Sequence, residues 1–337
     1  MVPQRERCLP RASGWPLAAG LAAGVALDAL FGDPRRGHPV AAFGRAAAAL
    51  EARDYADSRG RGAAHAAACM LAVAVPAAVL HRRTRGRPPW QAAAAALAVW
   101  TVTGARSLHH EAERARLSLH RHDLASAREV LPSLCGRDPA QLDAGQITRA
   151  VIESVAENTS DAVVAPLLWG AVAGIPGVVA YRAVNTLDAM VGHRSARYLR
   201  FGWASARLDD VANWIPARVT AALTAACAPV VRRTSPVQVL RIVRRDGGRH
   251  PSPNAGRCEA AFAAALGVRL GGTNVYAGVA EARPELGEEG RAPESEDIRR
   301  AIVLSRAVTV SATALAVLIA LFADRGLTGA GRSRPGR

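Results

Sequence analysis

The sequence predicts an all-α fold, a polytopic integral membrane bundle of helices joined by polar cytoplasmic loops. Half of the 337 residues are hydrophobic but only 4% are aromatic, so the apolar content is mainly Ala, Val and Leu. Small side chains suit helices that pack closely in lipid, where Gly and Ala let two backbones approach. Six apolar stretches approach the length of about 20 residues that a bilayer crossing needs. They lie near residues 14–31, 63–80, 88–105, 162–180, 211–231 and 307–323.

These stretches define a single membrane-embedded catalytic domain, residues 14–323. A basic arm, residues 1–13, precedes it, and a disordered basic tail, residues 324–337, is expected to follow. The arginine-rich loop at 82–87 marks the cytoplasmic side, because basic residues are enriched in cytoplasmic loops. A soluble bundle of buried helices is the alternative, but such helices usually show a polar stripe. We therefore expect a multi-pass protein of the inner (cytoplasmic) cell membrane.

The fourth stretch, 162–180, is predicted to be broken or re-entrant. If all six stretches crossed, the polar motifs described below would lie on both sides of the membrane. Pro166, Gly174, Pro176 and Gly177 interrupt this stretch. Non-helical backbone is tolerated at membrane depth only where it is buried in protein or lines a wet cavity.

The charge balance excludes several kinds of chemistry. The formal net charge is +15, and all 43 basic residues are arginine. A P-loop lysine and Schiff-base catalysis are therefore excluded. The arginines flank apolar stretches instead of forming one stripe, so we expect lipid headgroups as partners and no nucleic acid. The five cysteines show no metal or redox spacing.

The motif E-S-V-A-E-N-T-S-D at 153–161 is the sharpest candidate site. Its acids Glu153, Glu157 and Asp161 are spaced i, i+4, i+8, so a helix places them on one face. Three like charges on one face repel each other, and a divalent cation would neutralise them. Mg²⁺ prefers oxygen ligands from one or two carboxylates together with phosphates. The motif also contains Asn158. The alternative interpretation is a solvated acidic face.

A second polar cluster follows the broken stretch and extends from 181 to 218. Its arginines are suited to bidentate phosphate binding. Its aspartates could bind a second cation or pair with those arginines, so a juxtamembrane ion-pair network is an equally good interpretation for any one arginine. The residues of interest are Arg182, Asn185, Asp188, His193, Arg194, Arg197, Arg207, Asp209 and Asp210.

Two further features carry weaker signals. Asp28 lies inside the first apolar stretch, where an acid is costly and suggests a function, unless it reaches water at the helix end. Residues 246–256 contain Gly-Gly and Ser-Pro-Asn turns, which can present backbone N–H groups as an anion nest. Ser252 and Asn254 belong to the second of these turns.

Taken together, these motifs resemble the adenosylcobinamide-phosphate synthase family, known as CobD or CbiB. The similarity spans residues 28 to about 287, and the pieces occur in the family's order. They are F-G-D-P with H-P-V, E-S-V-A-E-N-T-S-D, Y-R-A-V-N-T-L-D-A-M-V-G-H, F-G-W-A-S-A-R-L-D-D, N-W-I-P-A-R, S-P-N-A-G and L-G-G-T-N.

The resemblance implies an enzyme of cobalamin biosynthesis. It would join (R)-1-amino-2-propanol, or its O-phosphate, to the propionate of adenosylcobyric acid, giving adenosylcobinamide or its phosphate. ATP and Mg²⁺ are implied as cofactors, and other corrinoid-pathway enzymes are possible partners. An AmpE-like membrane sensor and a corrinoid-related transporter are the alternatives.

The predicted roles of individual residues follow from this reaction. The predicted metal ligands are Glu157, Asp161 and Asp209. The predicted catalytic residues are Asp188, His193 and Glu153. The predicted cofactor-binding residues are Arg182, Asn185, Arg194, Arg207, Asn158, Ser252 and Asn254.

Overall fold

The computed structural model describes residues 14–34, 37–136, 138–193, 195–276 and 279–329; for 273–276, 279–282 and 323–329 it describes the backbone alone. The described residues are 78% helical, which confirms the all-α prediction. The helices are α1 Trp15–Phe31, α2 Pro39–Asp54, α3 Arg59–Thr84, α4 Pro88–Val102, α5 Ala105–His120, α6 Leu124–Val130, α7 Ala144–Thr159, α8 Ala165–Leu187, α9 Tyr198–Phe201, α10 Trp203–Ala212, α11 Trp214–Cys227, α12 Pro236–Asp246, α13 Ala255–Leu266 and α14 Ser295–Gly329.

Three helical segments of the described chain are long and apolar enough to cross a membrane: α3, the segment Ala144–Gly192 and the part of α14 that ends at Phe322. The other predicted stretches form shorter helices. The helix α4 has 15 residues, for example, and therefore spans only about 22 Å at 1.5 Å per residue. The prediction of apolar membrane helices is confirmed, but three of the six stretches form helices shorter than a full crossing.

The segment Ala144–Gly192 is a hairpin of two helical arms, not a straight rod. Gly174 has φ 67° and ψ −152°, which ends the first arm. Asn185 Nδ2 lies 3.4 Å from Asp161 Oδ2, although 24 residues of continuous helix would separate these positions by about 36 Å. A Cβ atom on Gly177 would lie 2.2 Å from the carbonyl oxygen of Trp169, so the arms touch near the tip. The break predicted for 162–180 is confirmed, and a re-entrant course in the membrane stays a prediction.

Small residues set the packing distance between α1 and α4. A Cβ atom on Gly20 would lie 2.5 Å from Cβ of Ala95, and one on Gly24 would lie 2.5 Å from Cβ of Val99. The two helices therefore approach as closely as glycine allows, which is the packing expected of small residues in lipid. The main core lies between α5, α7, α13 and α14, and Phe262 of α13 is fully buried there.

A β-hairpin, which the sequence analysis did not predict, follows α13. Strand β1 (Leu270–Tyr276) pairs antiparallel with β2 (Val279–Leu286), with a bulge between Leu270 and Gly272. Gly271 has φ 83° at this bulge, a conformation that favours glycine. The final helix continues to Gly329, so residues 324–329 of the predicted tail are helical. Residues 1–13 and 330–337 lie outside the described residues.

Candidate active site

Two π-helical turns stand at the open end of the helical hairpin, one on each arm. Ser160–Val164 contains Asp161, and Asp188–Gly192 begins with Asp188. Such turns are rare and occur frequently at functional sites. A Cβ atom on Gly192 would lie 1.8 Å from Asp188 Oδ1, so glycine is required for the Asp188 side chain to lie back over its own helix.

One amide group joins two carboxylates from different elements. Asn185 Nδ2 lies 3.4 Å from Asp161 Oδ2 and 3.4 Å from Asp209 Oδ1. Asn213 Nδ2 donates to Asp209 Oδ2 at 3.0 Å, and Tyr181 donates its hydroxyl to Asn213 Oδ1 at 2.9 Å. The hairpin and α10 therefore present a pair of carboxylates whose orientation is set by neutral hydrogen-bonding groups.

Arg182 orients this amide and does not line the large cavity described below. Its Nη1 donates to Asn185 Oδ1 at 3.2 Å, which turns the amide nitrogen towards the carboxylates. The guanidinium lies within electrostatic range of both Asp161 and Asp33. It thereby connects the F-G-D-P motif with the acidic motif of α7. The predicted phosphate-binding role of Arg182 stays a prediction.

A small cavity of about 30 Å³ lies beside the carboxylate pair. Glu157, Asp161 and Asp209, the three predicted metal ligands, all line it. So does Asn254, whose Nδ2 donates to the carbonyl of Asp210 at 2.8 Å. Asn254 Oδ1 is buried without a hydrogen-bond partner among the described residues. The cavity has room for one water or one ion, and its lining offers oxygen atoms suited to a hard cation.

The described residues contain no preformed group of three or more His, Cys, Asp or Glu side chains that could hold a metal ion. Mg²⁺ does not require such a group, because it takes one or two carboxylates and completes its shell with water and phosphate. Asp161 also lies within electrostatic range of Asp209, Glu157 and Asp188. The donor set therefore fits a divalent cation that arrives together with a phosphorylated substrate.

The carboxyl group of Asp209, on α10, has a shifted pKa. Burial raises the pKa of its carboxyl above the ordinary value, and the negative charge of Asp210 raises it further, while hydrogen bonds from Asn213 and Asn185 act in the opposite direction. A cation that neutralised the carboxylate would relieve this cost, so burial favours either a proton or a metal ion at Asp209.

A large cavity of about 1610 Å³ adjoins the small one and shares four of its lining residues. This volume exceeds the usual 300–1,000 Å³ of small-molecule sites, so the cavity can accept a large substrate. Exposed Leu199 and Trp203 give its wall an apolar part. The predicted site residues that line it are Glu153, Glu157, Asp161, Asp188, His193, Arg207, Asp209 and Ser252.

Glu153 holds the β-hairpin against α7. Its carboxylate is buried, and Oε1 accepts a hydrogen bond of 2.7 Å from the N–H of Gly271. Arg149 Nε lies 3.9 Å from the same oxygen. The geometry gives Glu153 an anchoring position at the cavity wall, and its predicted catalytic role stays a prediction.

The Ser-Pro-Asn turn does not offer the predicted anion nest, because its N–H groups are already engaged. Ser252 Oγ accepts from the N–H of Asn254 at 3.3 Å and of Ala255 at 3.2 Å, which caps the start of α13. His250 Nδ1 accepts from the N–H of Ser252 at 3.0 Å. The nest prediction is wrong for this turn, because neighbouring side chains satisfy these N–H donors. A sequence pattern cannot show such contacts.

Two charged residues of the cavity, Glu259 and Arg283, were not among the predicted site residues. His250 Nε2 lies 3.1 Å from Arg283 Nη1 and 3.8 Å from Glu259 Oε1, and all three side chains line the large cavity. The signal for Glu259 was its position one helical turn after the S-P-N-A-G motif. Arg283 lies in β2 and had no signal, because the β-hairpin itself was not predicted.

The remaining predicted residues have different environments. His193 is exposed on the cavity and stands edge-on to Tyr198, with ring centroids 4.9 Å apart. Arg207 is exposed, with Asp210 3.5 Å away. Asn158 donates to the carbonyl of Ser154 at 3.0 Å and lines neither cavity. Arg194 lies outside the described residues.

Arg197, a further predicted phosphate ligand, is part of a structural contact. It donates to Glu51 Oε1 through Nη2 at 3.0 Å, and Tyr198 donates its hydroxyl to the same oxygen at 2.9 Å. The guanidinium lies 4.0 Å from the centroid of the Tyr55 ring. These contacts fasten α2 to the chain after the second π turn.

Comparison with known proteins decides the family. Residues 21–305 match the family model described as CobD/Cbib protein. The chain belongs to the CobD/CbiB family. The cobalamin biosynthesis protein CobD of Mycobacterium tuberculosis is 55% identical over 309 residues, which cover 91% of this chain and 97% of that protein. The protein of that name in Geobacter metallireducens is 47% identical over 272 residues, 78% of this chain and 84% of the relative. No solved structure matches the chain.

Family membership confirms the resemblance drawn from the motifs and supports a role in cobalamin biosynthesis. Together with the long apolar helices, it supports a membrane protein of this pathway. The matched region contains both π turns, the carboxylate pair and both cavities described above.

Proposed function

We propose that this CobD/CbiB protein forms an amide between the propionate of adenosylcobyric acid and 1-amino-2-propanol or its O-phosphate, at the expense of ATP. The observation that carries the proposal is the ion-sized cavity lined by Glu157, Asp161 and Asp209 at the wall of a cavity large enough for a corrinoid. A non-catalytic sensor has no need for buried carboxylates beside a large substrate cavity.

The chemistry explains why these groups are needed together. A carboxylate resists attack by an amine until one of its oxygens becomes a leaving group. Transfer of the terminal phosphoryl group of ATP to the propionate oxygen would give an acyl phosphate and ADP. The amine then forms the C–N bond, the C–O bond to phosphate breaks, and inorganic phosphate leaves. Mg²⁺ on Asp161 and Asp209 would supply charge neutralisation for the phosphates.

The chain's own groups have separate tasks in this scheme. Arg207, exposed on the large cavity, meets the phosphate charge. The amine attacks only in its neutral form, so a base must take its proton. Asp188 and His193 both line the cavity and are the candidates for that role. The apolar wall at Leu199 and Trp203 would hold the corrin ring.

Isotope transfer tests the reaction directly. Purified full-length protein would receive adenosylcobyric acid with ¹⁸O in the propionate carboxylate, ATP-Mg²⁺ and aminopropanol phosphate. We expect one ADP for each amide formed and one ¹⁸O atom in the released phosphate. Asp161→Asn should lose product formation, while Asp57→Asn, at an exposed position outside both cavities, should not.

Other outcomes would favour the alternatives. Corrinoid binding without ATP turnover or amide formation would overturn the proposal and favour a sensor. If the amide formed but the released phosphate contained no ¹⁸O, the protein would still be an amide-forming ligase, but the reaction would not pass through an acyl phosphate. Omission of Mg²⁺ should abolish amide formation. Full activity in the presence of a chelator would show that the reaction does not require a metal ion.

A further inference from the structure

A third cavity, separate from the candidate active site, opens between α1, α5 and α14. Its volume is about 660 Å³, within the range of sites for small ligands. It shares no lining residue with the other two cavities. Val25, Ala29 and Val310 supply its apolar part, and Val310 is 69% exposed on the bundle surface.

This cavity lies where two apolar helices change to polar sequence. Asp28 is in the last turn of α1, which ends at Phe31. Arg306 directly precedes the apolar stretch 307–323 of α14. Both residues line the cavity. In a bilayer, this boundary is the depth of the lipid headgroups, where charged side chains meet headgroup charges.

Asp28 is a buried acid with one unsatisfied oxygen. The residue is only 1% exposed. Its Oδ2 accepts a hydrogen bond of 3.2 Å from the N–H of Arg106, whereas Oδ1 has no hydrogen-bond partner among the described residues. A buried carboxylate oxygen without a donor is costly. The arrangement therefore suits a ligand that brings a hydrogen-bonding cation.

Arg306 is the complementary charge. It is exposed, and no ion pair within 4.0 Å joins it to another described residue, although Glu113 lies within electrostatic range. Arg106 is tied to the end of α1, because its Nη1 donates to the carbonyls of Ala29 and Leu30. Arg306 is thus the guanidinium of this cavity that is available to an anionic group of a ligand.

Two other polar residues of the cavity, Glu113 and His109, are already engaged. Glu113 Oε1 accepts from Arg116 Nη2 at 2.7 Å. Burial lowers the pKa of His109 to about 4, and its Nε2 hydrogen-bonds with Ser305 Oγ at 2.8 Å. Asp28 Oδ1 therefore still lacks a donor, and Arg306 still lacks an anion within ion-pair distance among the described residues.

We propose that this cavity binds the headgroup of a zwitterionic aminophospholipid. Its phosphate would pair with Arg306, its ammonium would donate to Asp28 Oδ1, and the start of an acyl chain would contact Val25, Ala29 and Val310. An ethanolamine headgroup carries both charges a few bonds apart and retains N–H donors. A choline headgroup has the positive charge without donors, and a glycerol headgroup lacks the positive charge.

Native mass spectrometry of the full-length protein tests this lipid site. The delipidated protein in detergent would be mixed with phosphatidylethanolamine, phosphatidylcholine or phosphatidylglycerol of identical acyl chains. We expect about tenfold tighter binding of the ethanolamine lipid than of the other two. Arg306→Gln, an exposed substitution, should weaken ethanolamine-lipid binding about fivefold. Asp28→Asn should remove the preference over choline. Arg83→Gln, at the exposed end of α3, is the matched control and should bind as the wild type does.

Three results would overturn the proposal. The first is equal binding of the ethanolamine and choline lipids by the wild type. This comparison uses the wild-type protein alone, so it does not depend on the folding of any variant. The second is an equal loss of binding in Arg306→Gln and Arg83→Gln. The third is binding of free phosphoethanolamine without any binding of the lipid, which would assign the cavity to a soluble phosphorylated amine. None of these results bears on the proposed amide synthesis, because no residue is shared.

Discussion

The tip and the open end of the helical hairpin, residues 144–192, depend on opposite properties of their residues. At the tip, Gly174 reverses the chain with φ 67°, and Gly177 lies against the backbone of Trp169. At the open end, Asp161 and Asn185 meet across the two arms. The tip requires the absence of side chains, whereas the open end requires particular ones. Shape and chemistry are therefore assigned to opposite ends of a single element.

The reversal itself predicts an all-or-none labelling pattern. In a cysteine-free background, Arg121→Cys and Ala196→Cys flank the hairpin at exposed positions. Both should react with a membrane-impermeant thiol reagent from the same side of sealed vesicles, because the hairpin returns the chain to the side from which it entered. Val172→Cys near the tip, an exposed position, is the comparison and should resist that reagent. Reaction of positions 121 and 196 from opposite sides would contradict the re-entrant hairpin.

The largest expected functional effect lies at the open end. Asp209→Asn should lower the rate of amide formation at least about a hundredfold, because the neutral side chain removes a charge from the predicted cation site. Thermal unfolding in detergent should change little, since the amide keeps the shape of the carboxylate. Asp57→Asn serves as control. Near-normal turnover by Asp209→Asn would exclude a required carboxylate at this position.

A substitution at the tip of the hairpin should lower the stability of the protein. Gly177→Ala places a methyl group 2.2 Å from the carbonyl oxygen of Trp169, and backbone must move to admit it. We expect a loss of about 1–3 kcal/mol in the free energy of unfolding. Gly44→Ala in α2 is the matched control, because the new methyl group would have only an ordinary contact of 3.7 Å with Met190 Sδ. It should be neutral or stabilising by up to about 1 kcal/mol. Equal stability of the two variants would mean that the arms do not touch at Gly177.

The smallest expected effect is a pH dependence from Asp209. Its pKa is raised in the folded protein, so the native state binds more protons than the unfolded chain over the range between the two pKa values. Stability without a cation should therefore fall as pH rises through that range. Mg²⁺ binding requires the ionised carboxylate and should release protons, which calorimetry in buffers of different ionisation enthalpy measures. Asp209→Asn should reduce both effects; values unchanged from the wild type would assign them to other groups.

The sequence was sufficient for local features with a strong chemical signal. Glycine and proline between 162 and 180 predicted the broken helix, and the acids Glu157, Asp161 and Asp209 do share one cavity. Their association with Asn185 and Asn213 depends on the reversal at Gly174 and on the placement of α10. Such contacts between distant parts of the chain cannot be derived from periodicity.

Partnerships between side chains were the least predictable part. Arg182 and Arg197 were both interpreted as phosphate ligands, yet one orients an amide and the other pairs with Glu51. An arginine in a sequence shows a donor but not its acceptor. The β-hairpin was missed for a related reason, since Gly271 and Gly272 interrupt the alternation that would mark a strand.

The amide of Asn185 has a further consequence for ion entry. Its nitrogen, the positive end of the amide dipole, points at both Asp161 and Asp209 and so competes for these two acids with a cation in the adjoining small cavity. Without an ion, this group relieves part of the repulsion between the carboxylates. An arriving cation would draw charge away from these contacts, and because Asn185 belongs to the returning arm, loading of the site would weaken the hold of that arm on the two acids.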